Sequence, residues 1–149
     1  MVWPLAGLPL RRTDGVNEIM EDVTYTPIGV IRTPFPDSRG IPKGPAGRQA
    51  PGRAELDPRL APALSGLEAF PRIVLVFHMH LSEGPLLKVA PHGEPAERGV
   101  FSTRSPRRPN PIGLSVVALD RVEGSVVHFT GADMVDGTPL LDIKPHIPE

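Results

Sequence analysis

Short apolar runs alternate with polar, turn-rich segments along the chain, a pattern typical of proteins built from β-strands. Seven runs predict strands, at residues 25–32, 72–81, 86–89, 99–103, 113–123, 125–132 and 140–144. The stretches 73–77 and 116–119 are apolar at every position, so we expect them to be buried on both sides. Glu123, Gly124 and Ser125 lie between two predicted strands and indicate a hairpin turn.

Helical patterning is confined to residues 57–70, where leucines recur at helical spacing. Pro62 and Gly66 limit this segment to one or two short helical turns. Because strands dominate and do not alternate with helices, the pattern favours an all-β fold, either an antiparallel sheet or a small closed barrel. No Gly-x-Gly-x-x-Gly motif opens a helix, so the usual dinucleotide or Rossmann-type methyl-donor site is missing.

A length of 149 residues predicts a single folded domain at residues 24–149. Residues 1–23 differ in composition from the rest of the chain, so we expect either that they form a flexible arm or that Met20 is the true start. The chain has neither a typical signal peptide nor an apolar run long enough to cross a bilayer. Its lack of cysteine fits a reducing compartment, so we expect a soluble, cytoplasmic protein that is not bound to a membrane.

Three segments are too polar and too rich in turns to be core: residues 34–53, 98–115 and 134–145. The net charge is only −1, so any affinity for nucleic acid must come from a local basic patch. The second segment supplies one, because it contains four arginines and no acidic residue: Arg98, Arg104, Arg107 and Arg108. Interleaved prolines stiffen its backbone, which predicts a preorganised site for phosphate or carboxylate groups rather than a solvated turn.

His78 and His80 are two residues apart on a predicted strand and therefore share a face. Such a pair can bind a metal ion, but a neutral, hydrogen-bonded histidine is the commoner arrangement. We therefore expect no metal at this site.

Several motifs resemble those of the TsaA-like, TrmO-type family and occur in the family's order: GVIRTPF, GRQ, GLEAF, LVFH, GVFSTRSPRRPNPIGLS and DGTPLLDIKP. The resemblance covers about residues 25–148. It implies a small, single-sheeted antiparallel β-barrel that forms homodimers. It also implies transfer of a methyl group from S-adenosylmethionine to N6 of the threonylcarbamoyl-modified adenosine beside the tRNA anticodon.

The resemblance further implies a set of residues that hold S-adenosylmethionine, namely Gly47, Arg48, Gln49, His78, Met79, Arg104, Leu114, Asp136, Gly137 and Thr138. Arg107 and Arg108 are our candidates for contacting the substrate RNA. Asn110 or Asp136 is a candidate for orienting the acceptor N–H group or accepting its proton. Longer family members carry an additional C-terminal domain thought to help hold tRNA, whereas this chain ends at Glu149, so we expect RNA contact on the barrel, the arm or a partner subunit.

Three other interpretations remain open on the sequence alone. The basic segment is compatible with an RNA-binding barrel that has no enzymatic activity. The same fold and methyl donor could serve a different acceptor molecule. A metal enzyme of the cupin type could use His78 and His80.

Overall fold

The structure, a computed structural model, describes residues 20–42, 49–91 and 93–149. The predicted arm, residues 1–23, lies outside this part of the chain except for its last four residues. The described residues contain eight strands: Gly29–Arg32 (β1), Pro51–Leu56 (β2), Arg72–His78 (β3), Lys88–Val89 (β4), Arg98–Gly99 (β5), Ile112–Glu123 (β6), Val126–Thr130 (β7) and Thr138–Pro145 (β8).

Six strands form one closed antiparallel barrel in the order β1-β2-β7-β6-β3-β8. Strand β1 completes the ring because Gly29 pairs with Leu56 of β2 on one side and with Leu140 of β8 on the other. Closure leaves no free edge in this sheet. The two short strands β4 and β5 pair separately. The predicted all-β, single-sheeted antiparallel barrel is therefore confirmed.

The barrel interior is filled by apolar side chains from alternate strand positions, as strand geometry requires. Its fully buried members include Ile31, Ala54, Ile73, Leu75, Val127, Phe129 and Leu140. Along β6, Val117 points inward and is buried, whereas its neighbour Val116 points outward and is 43% exposed. The expectation that residues 73–77 and 116–119 are buried on both sides is therefore wrong, because only the inward face of each strand meets the core.

The strands predicted at residues 25–32, 72–81 and 86–89 are shortened to β1, β3 and β4, and two further segments differ in the kind of structure they form. Residues 51–56, half of which lie in the predicted irregular loop, form β2, with Ala54 and Leu56 inward and Arg53 outward. Residues 99–103 are not a strand beyond Gly99, because the chain turns into a 3-10 helix at Val100–Ser102. In the hairpin between β6 and β7, the turn falls at the predicted position around Gly124.

Helix among the described residues is limited to short 3-10 segments: Ser38–Gly40, Pro58–Leu64, Leu67–Ala69 and Val100–Ser102. Asp57 caps the longest of them by accepting a hydrogen bond from the backbone N–H of Arg59 at 2.9 Å. Hydrogen bonds from the side chain and then the backbone of Arg59 lower the pKa of Asp57 to about 2. None of the helices in the described part of the chain is long and apolar enough to cross a membrane.

Candidate functional site

One end of the barrel opens into a cavity of about 610 Å³. Its wall combines the end of β3 and the residues after it, the start of β6, the loop between β7 and β8, and residues 103–108, called here the arginine loop. These segments are far apart in the sequence. They meet because β3 pairs with both β6 and β8, which places the ends of these strands side by side.

The apolar wall of the cavity depends on close contact between β3 and β6. Phe77 and Gly113 occupy paired register positions, and both line the cavity. A Cβ atom on residue 113 would lie 2.3 Å from Cε2 of Phe77, which is too close for any side chain. Glycine at this position therefore lets the Phe77 ring pack closely against the backbone of β6. Met79, Ile112 and Leu114 extend the apolar surface.

The arginine loop is fixed internally by Arg108. Its Nη1 donates to the carbonyl oxygens of Val100 at 3.1 Å, Thr103 at 2.6 Å and Ser105 at 3.4 Å. The guanidinium carbon also lies 5.8 Å from the centroid of the Phe101 ring, a distance typical of a cation–π contact. Arg108 therefore organises the loop backbone as well as lining the cavity.

The other two arginines join the loop to its neighbours. Arg104 donates from Nη2 to the carbonyl oxygen of Leu114 on β6. Arg107 donates from Nε to the carbonyl oxygen of Gly84 at 2.6 Å, and its Nη1 lies 3.8 Å from Oε2 of Glu83. All three arginines line the cavity. The loop is thus preorganised and leaves further guanidinium N–H groups for a ligand, since each arginine has five such donors.

The DGT sequence predicted to touch the methyl donor spans the end of the loop between β7 and β8 and the first residue of β8. Asp136 accepts a hydrogen bond at Oδ1 from the backbone N–H of Thr33 at 3.0 Å and lies 4.0 Å from Nη1 of Arg32. Gly137 has a φ of 83°, a left-handed conformation that favours glycine. Thr138 lines the cavity, whereas Asp136 and Gly137 are not among the described lining residues.

The remaining predicted residues differ in their placement. Met79 lines the cavity, and its backbone N–H donates to the carbonyl oxygen of Pro111 at 2.7 Å. His78 and Asn110 lie outside the described lining, and Gln49 is exposed beside the segment 43–48. Gly47 and Arg48 fall within that segment and so lie outside the described residues.

His80 lines the cavity although it was not among the residues predicted to hold the methyl donor. Burial, and then the nearby charge of His78, lower its pKa, which favours the neutral imidazole. Among the described residues there is no group of three or more histidine, cysteine, aspartate or glutamate side chains arranged to hold a metal ion.

Sequence reasoning missed a hydrogen-bonded pair in the cavity, formed by Ser115 and Asp133. The hydroxyl group of Ser115, a buried residue on β6, donates to Oδ1 of Asp133 at 2.5 Å. Both residues line the cavity. One signal was available, since Ser115 is the only polar residue in the apolar run 112–119.

Comparison with known proteins places this architecture in a family. The family model of the tRNA-methyltransferase O N-terminal domain matches residues 30–149. A probable S-adenosyl-L-methionine-binding protein of Pyrococcus abyssi is 41% identical over 128 residues, which are 85% of this chain and 70% of that protein. A tRNA (adenine(37)-N6)-methyltransferase of Escherichia coli is 41% identical over 143 residues, with 87% of this chain and 60% of that protein covered.

A crystal structure of TrmO superposes with a TM-score of 0.73 at 41% identity, and the match covers 86% of this chain and 59% of that one. The chain therefore spans a little over half the length of this solved structure. The part matched by the family model contains the whole barrel except the first residue of β1. On the fold, the motifs and the family match together, this chain belongs to the family of the tRNA-methyltransferase O N-terminal domain.

Proposed function

We propose that this chain is an S-adenosylmethionine-dependent methyltransferase domain that acts on N6 of adenosine 37 in tRNA. The observation that carries the proposal is the composition of the cavity. Four of the residues predicted to hold the methyl donor come from separate parts of the sequence and line this one cavity: Met79, Arg104, Leu114 and Thr138. The names of the relatives in P. abyssi and E. coli support the donor and the acceptor, respectively.

The cavity fits S-adenosylmethionine in size and in chemistry. Its volume of about 610 Å³ lies within the range of about 300–1,000 Å³ typical of small-molecule sites. Arg104 offers a partner for the donor's carboxylate, and the apolar surface around Met79 suits the adenine ring and the methylene groups.

We also propose, from the family resemblance, that six further residues contribute to the donor site. These are Gly47, Arg48, Gln49, His78, Asp136 and Gly137. Asp136 and Gly137 would act through the turn that presents Thr138, since their backbone N–H groups donate to the carbonyl oxygens of Phe35 at 2.6 Å and Ile31 at 2.9 Å. Asn110 or Asp136 would then orient the acceptor.

Methyl transfer depends mainly on how the protein aligns the two substrates. The sulfonium group already activates the methyl group, so most of the rate enhancement comes from holding nitrogen, methyl carbon and sulfur in line. The arginine loop and the turn before β8 are both fixed by hydrogen bonds to neighbouring backbone. A preorganised wall of this kind loses little entropy when the two substrates bind.

We further propose that the acceptor is the threonylcarbamoyl-modified form of adenosine 37. Its N6 is flanked by a carbonyl group and a purine ring, both of which make the N–H more acidic. Its threonyl carboxylate would meet an arginine. Arg107 and Arg108 are the proposed contacts for this carboxylate or for tRNA phosphates, because both line the cavity.

We also propose that the barrel forms a homodimer in the cytoplasm, with residues 24–149 as the folded domain. An apolar stripe on the outer face of β6 supports the dimer. It consists of Ile112, Leu114 and Val116, which are 42%, 50% and 43% exposed. A stripe of neighbouring exposed apolar side chains on a strand is typical of an interaction surface. Because Ile112 and Leu114 also line the cavity, a partner subunit on this stripe would lie close to the bound substrates.

Mass spectrometry of tRNA nucleosides tests the proposed reaction. The protein is incubated with S-adenosylmethionine and tRNA that carries threonylcarbamoyl-adenosine, and the expected product is that nucleoside with one additional methyl group. Matched tRNA lacking the threonylcarbamoyl group should remain unmethylated. Calorimetric titration with S-adenosylmethionine tests the donor alone, and binding without methylation of any tRNA would contradict the proposed acceptor.

A further inference from the structure

We infer that Asp133 is the base that receives the N6 proton during methyl transfer, an inference that rests on the proposed function. The sequence directed attention to Asn110 and Asp136. Neither lies in the described wall of the cavity. An asparagine amide is also not basic, and the Asp136 carboxylate is bonded to the backbone of Thr33.

Two carboxylates line the described wall of the cavity, those of Asp133 and Glu83. The side chain of Glu83 is 83% exposed, and its Oε2 lies 3.8 Å from Nη1 of Arg107, so this carboxylate is paired with that arginine. Asp133 has a different environment. Its Oδ1 accepts the Ser115 hydroxyl, and within the described part of the chain its carboxylate has no ion pair with arginine, lysine or histidine. Oδ2 therefore remains available to accept a proton.

The position of Asp133 is fixed on both sides by its neighbours in sequence. Ala132 is buried, and its backbone N–H donates to the carbonyl oxygen of Ala50 at 3.0 Å. Met134 is also buried, and its carbonyl oxygen accepts from Oγ1 of Thr33 at 2.8 Å. The intervening residue is exposed and lines the cavity. A carboxylate held in this way is preorganised, as general base catalysis requires.

In the proposed step, the N6 electron pair forms a bond to the methyl carbon, and the carbon–sulfur bond breaks with its electrons retained by sulfur. The N6–H bond breaks toward nitrogen, and Oδ2 of Asp133 takes the proton. The products are the N6-methylated nucleoside, S-adenosylhomocysteine and a protonated Asp133, which releases its proton to water through the open cavity. The Ser115 hydroxyl holds Oδ1 throughout the step and thereby orients Oδ2.

The test compares Asp133→Asn with the wild type in single-turnover methylation of threonylcarbamoyl-modified tRNA. Asparagine has the same shape and can still accept the Ser115 hydroxyl, so folding and donor binding should be retained. The rate should fall by at least about 100-fold, the lower end of the usual effect of a general base. The calorimetric Kd for S-adenosylmethionine should change by less than about threefold. A residue that holds the donor would weaken donor binding as well as the rate, whereas a base should affect mainly the rate.

Chemical rescue separates a base from a structural residue. Asp133→Ala leaves space for a small carboxylate, so added formate should restore part of its rate, whereas it should not restore Asp133→Asn. His80→Gln tests the alternative base, because His80 is a second proton acceptor in the same cavity. Asp120→Asn is the matched control, because Asp120 also accepts a hydroxyl hydrogen bond, from Thr130 at 2.8 Å, but is not among the residues that line the cavity. Ser115→Ala should retain more activity than Asp133→Asn.

Failure of the inference can be told apart from failure of the proposed function. An active wild type with an equally active Asp133→Asn variant would overturn the inference alone. So would a loss of donor affinity as large as the loss of rate, or a lost rate in His80→Gln with Asp133→Asn unaffected. A wild type that binds tRNA and S-adenosylmethionine but transfers no methyl group would overturn the proposed function, and the inference with it.

Discussion

Nη1 of Arg108 lies 2.6 Å from the carbonyl oxygen of Thr103, five residues earlier in the same loop. Hydrogen bonds from charged donors contribute about 1.5–3 kcal/mol each when well formed, and partial exposure reduces this contribution. Arg108→Ala should therefore lower the free energy of unfolding by about 1–2 kcal/mol. Chemical denaturation measures this change. Arg98→Ala is the control, since its side chain is 47% exposed and its ion pair with Glu94 should contribute little.

The proposed RNA contact of Arg107 and Arg108 predicts a change in salt dependence. Replacing both with alanine should weaken tRNA binding and reduce the slope of log K against log salt by up to about 0.7 for each phosphate that is no longer neutralised. Fluorescence anisotropy at several salt concentrations measures both quantities. Arg59→Ala is a suitable control, because Arg59 is an exposed arginine on the segment between β2 and β3. Unchanged affinity across the salt series would contradict the assignment.

Gly113→Ala should destabilise the barrel. The added methyl group would overlap the ring of Phe77 at 2.3 Å, and such overpacking costs about 1–3 kcal/mol. Thermal denaturation should show a lower Tm, together with weaker binding of S-adenosylmethionine because the cavity wall moves. Gly99→Ala is the matched control, since the φ of Gly99 is −56° and a methyl group there would have no neighbouring atom within 4 Å. Equal stability of the two variants would disprove the packing role.

The exposed stripe on β6 predicts the effect of Val116→Glu on assembly. A charge that becomes buried in an apolar interface loses its solvent, so the variant should be monomeric under conditions in which the wild type is dimeric. Light scattering after size-exclusion chromatography measures the mass. Leu60→Glu changes an apolar residue of similar exposure (36%) outside the stripe and should leave the mass unchanged. A monomeric wild type would rule out the proposed dimer.

His80 should titrate below the ordinary histidine pKa of about 6.5, because burial disfavours its charged form. Since the folded pKa is lowered, the unfolded chain binds more protons between the two values. The stabilisation from the neutral side chain is therefore fully present above about pH 6.5 and declines as the pH falls toward the folded pKa. NMR titration of the imidazole resonances measures the shift, and His78→Gln should reduce it by removing a like charge. A pKa at or above the ordinary value would refute this account.

Local sequence patterns were enough to predict the fold class and the positions of most strands, because alternating apolar residues and turn signals act over a few residues. They also drew attention to Arg104, Arg107 and Arg108, since prolines and closely spaced charges are visible in the printed chain. They did not reveal β2, whose strand carries only two inward apolar residues, Ala54 and Leu56. Only pairing with β1 and β7 makes this polar segment a strand.

Which of the candidate residues share a cavity depended on tertiary contacts. Asp136 has the stronger sequence signal, in a conspicuous turn, but its carboxylate supports the backbone at Thr33. Asp133 stands in an unremarkable position, yet barrel closure places it against Ser115 of β6, 18 residues away in sequence. Such a contact depends on the register of strands that are distant along the chain. No local pattern encodes that register, so the arrangement of the site had to come from the fold.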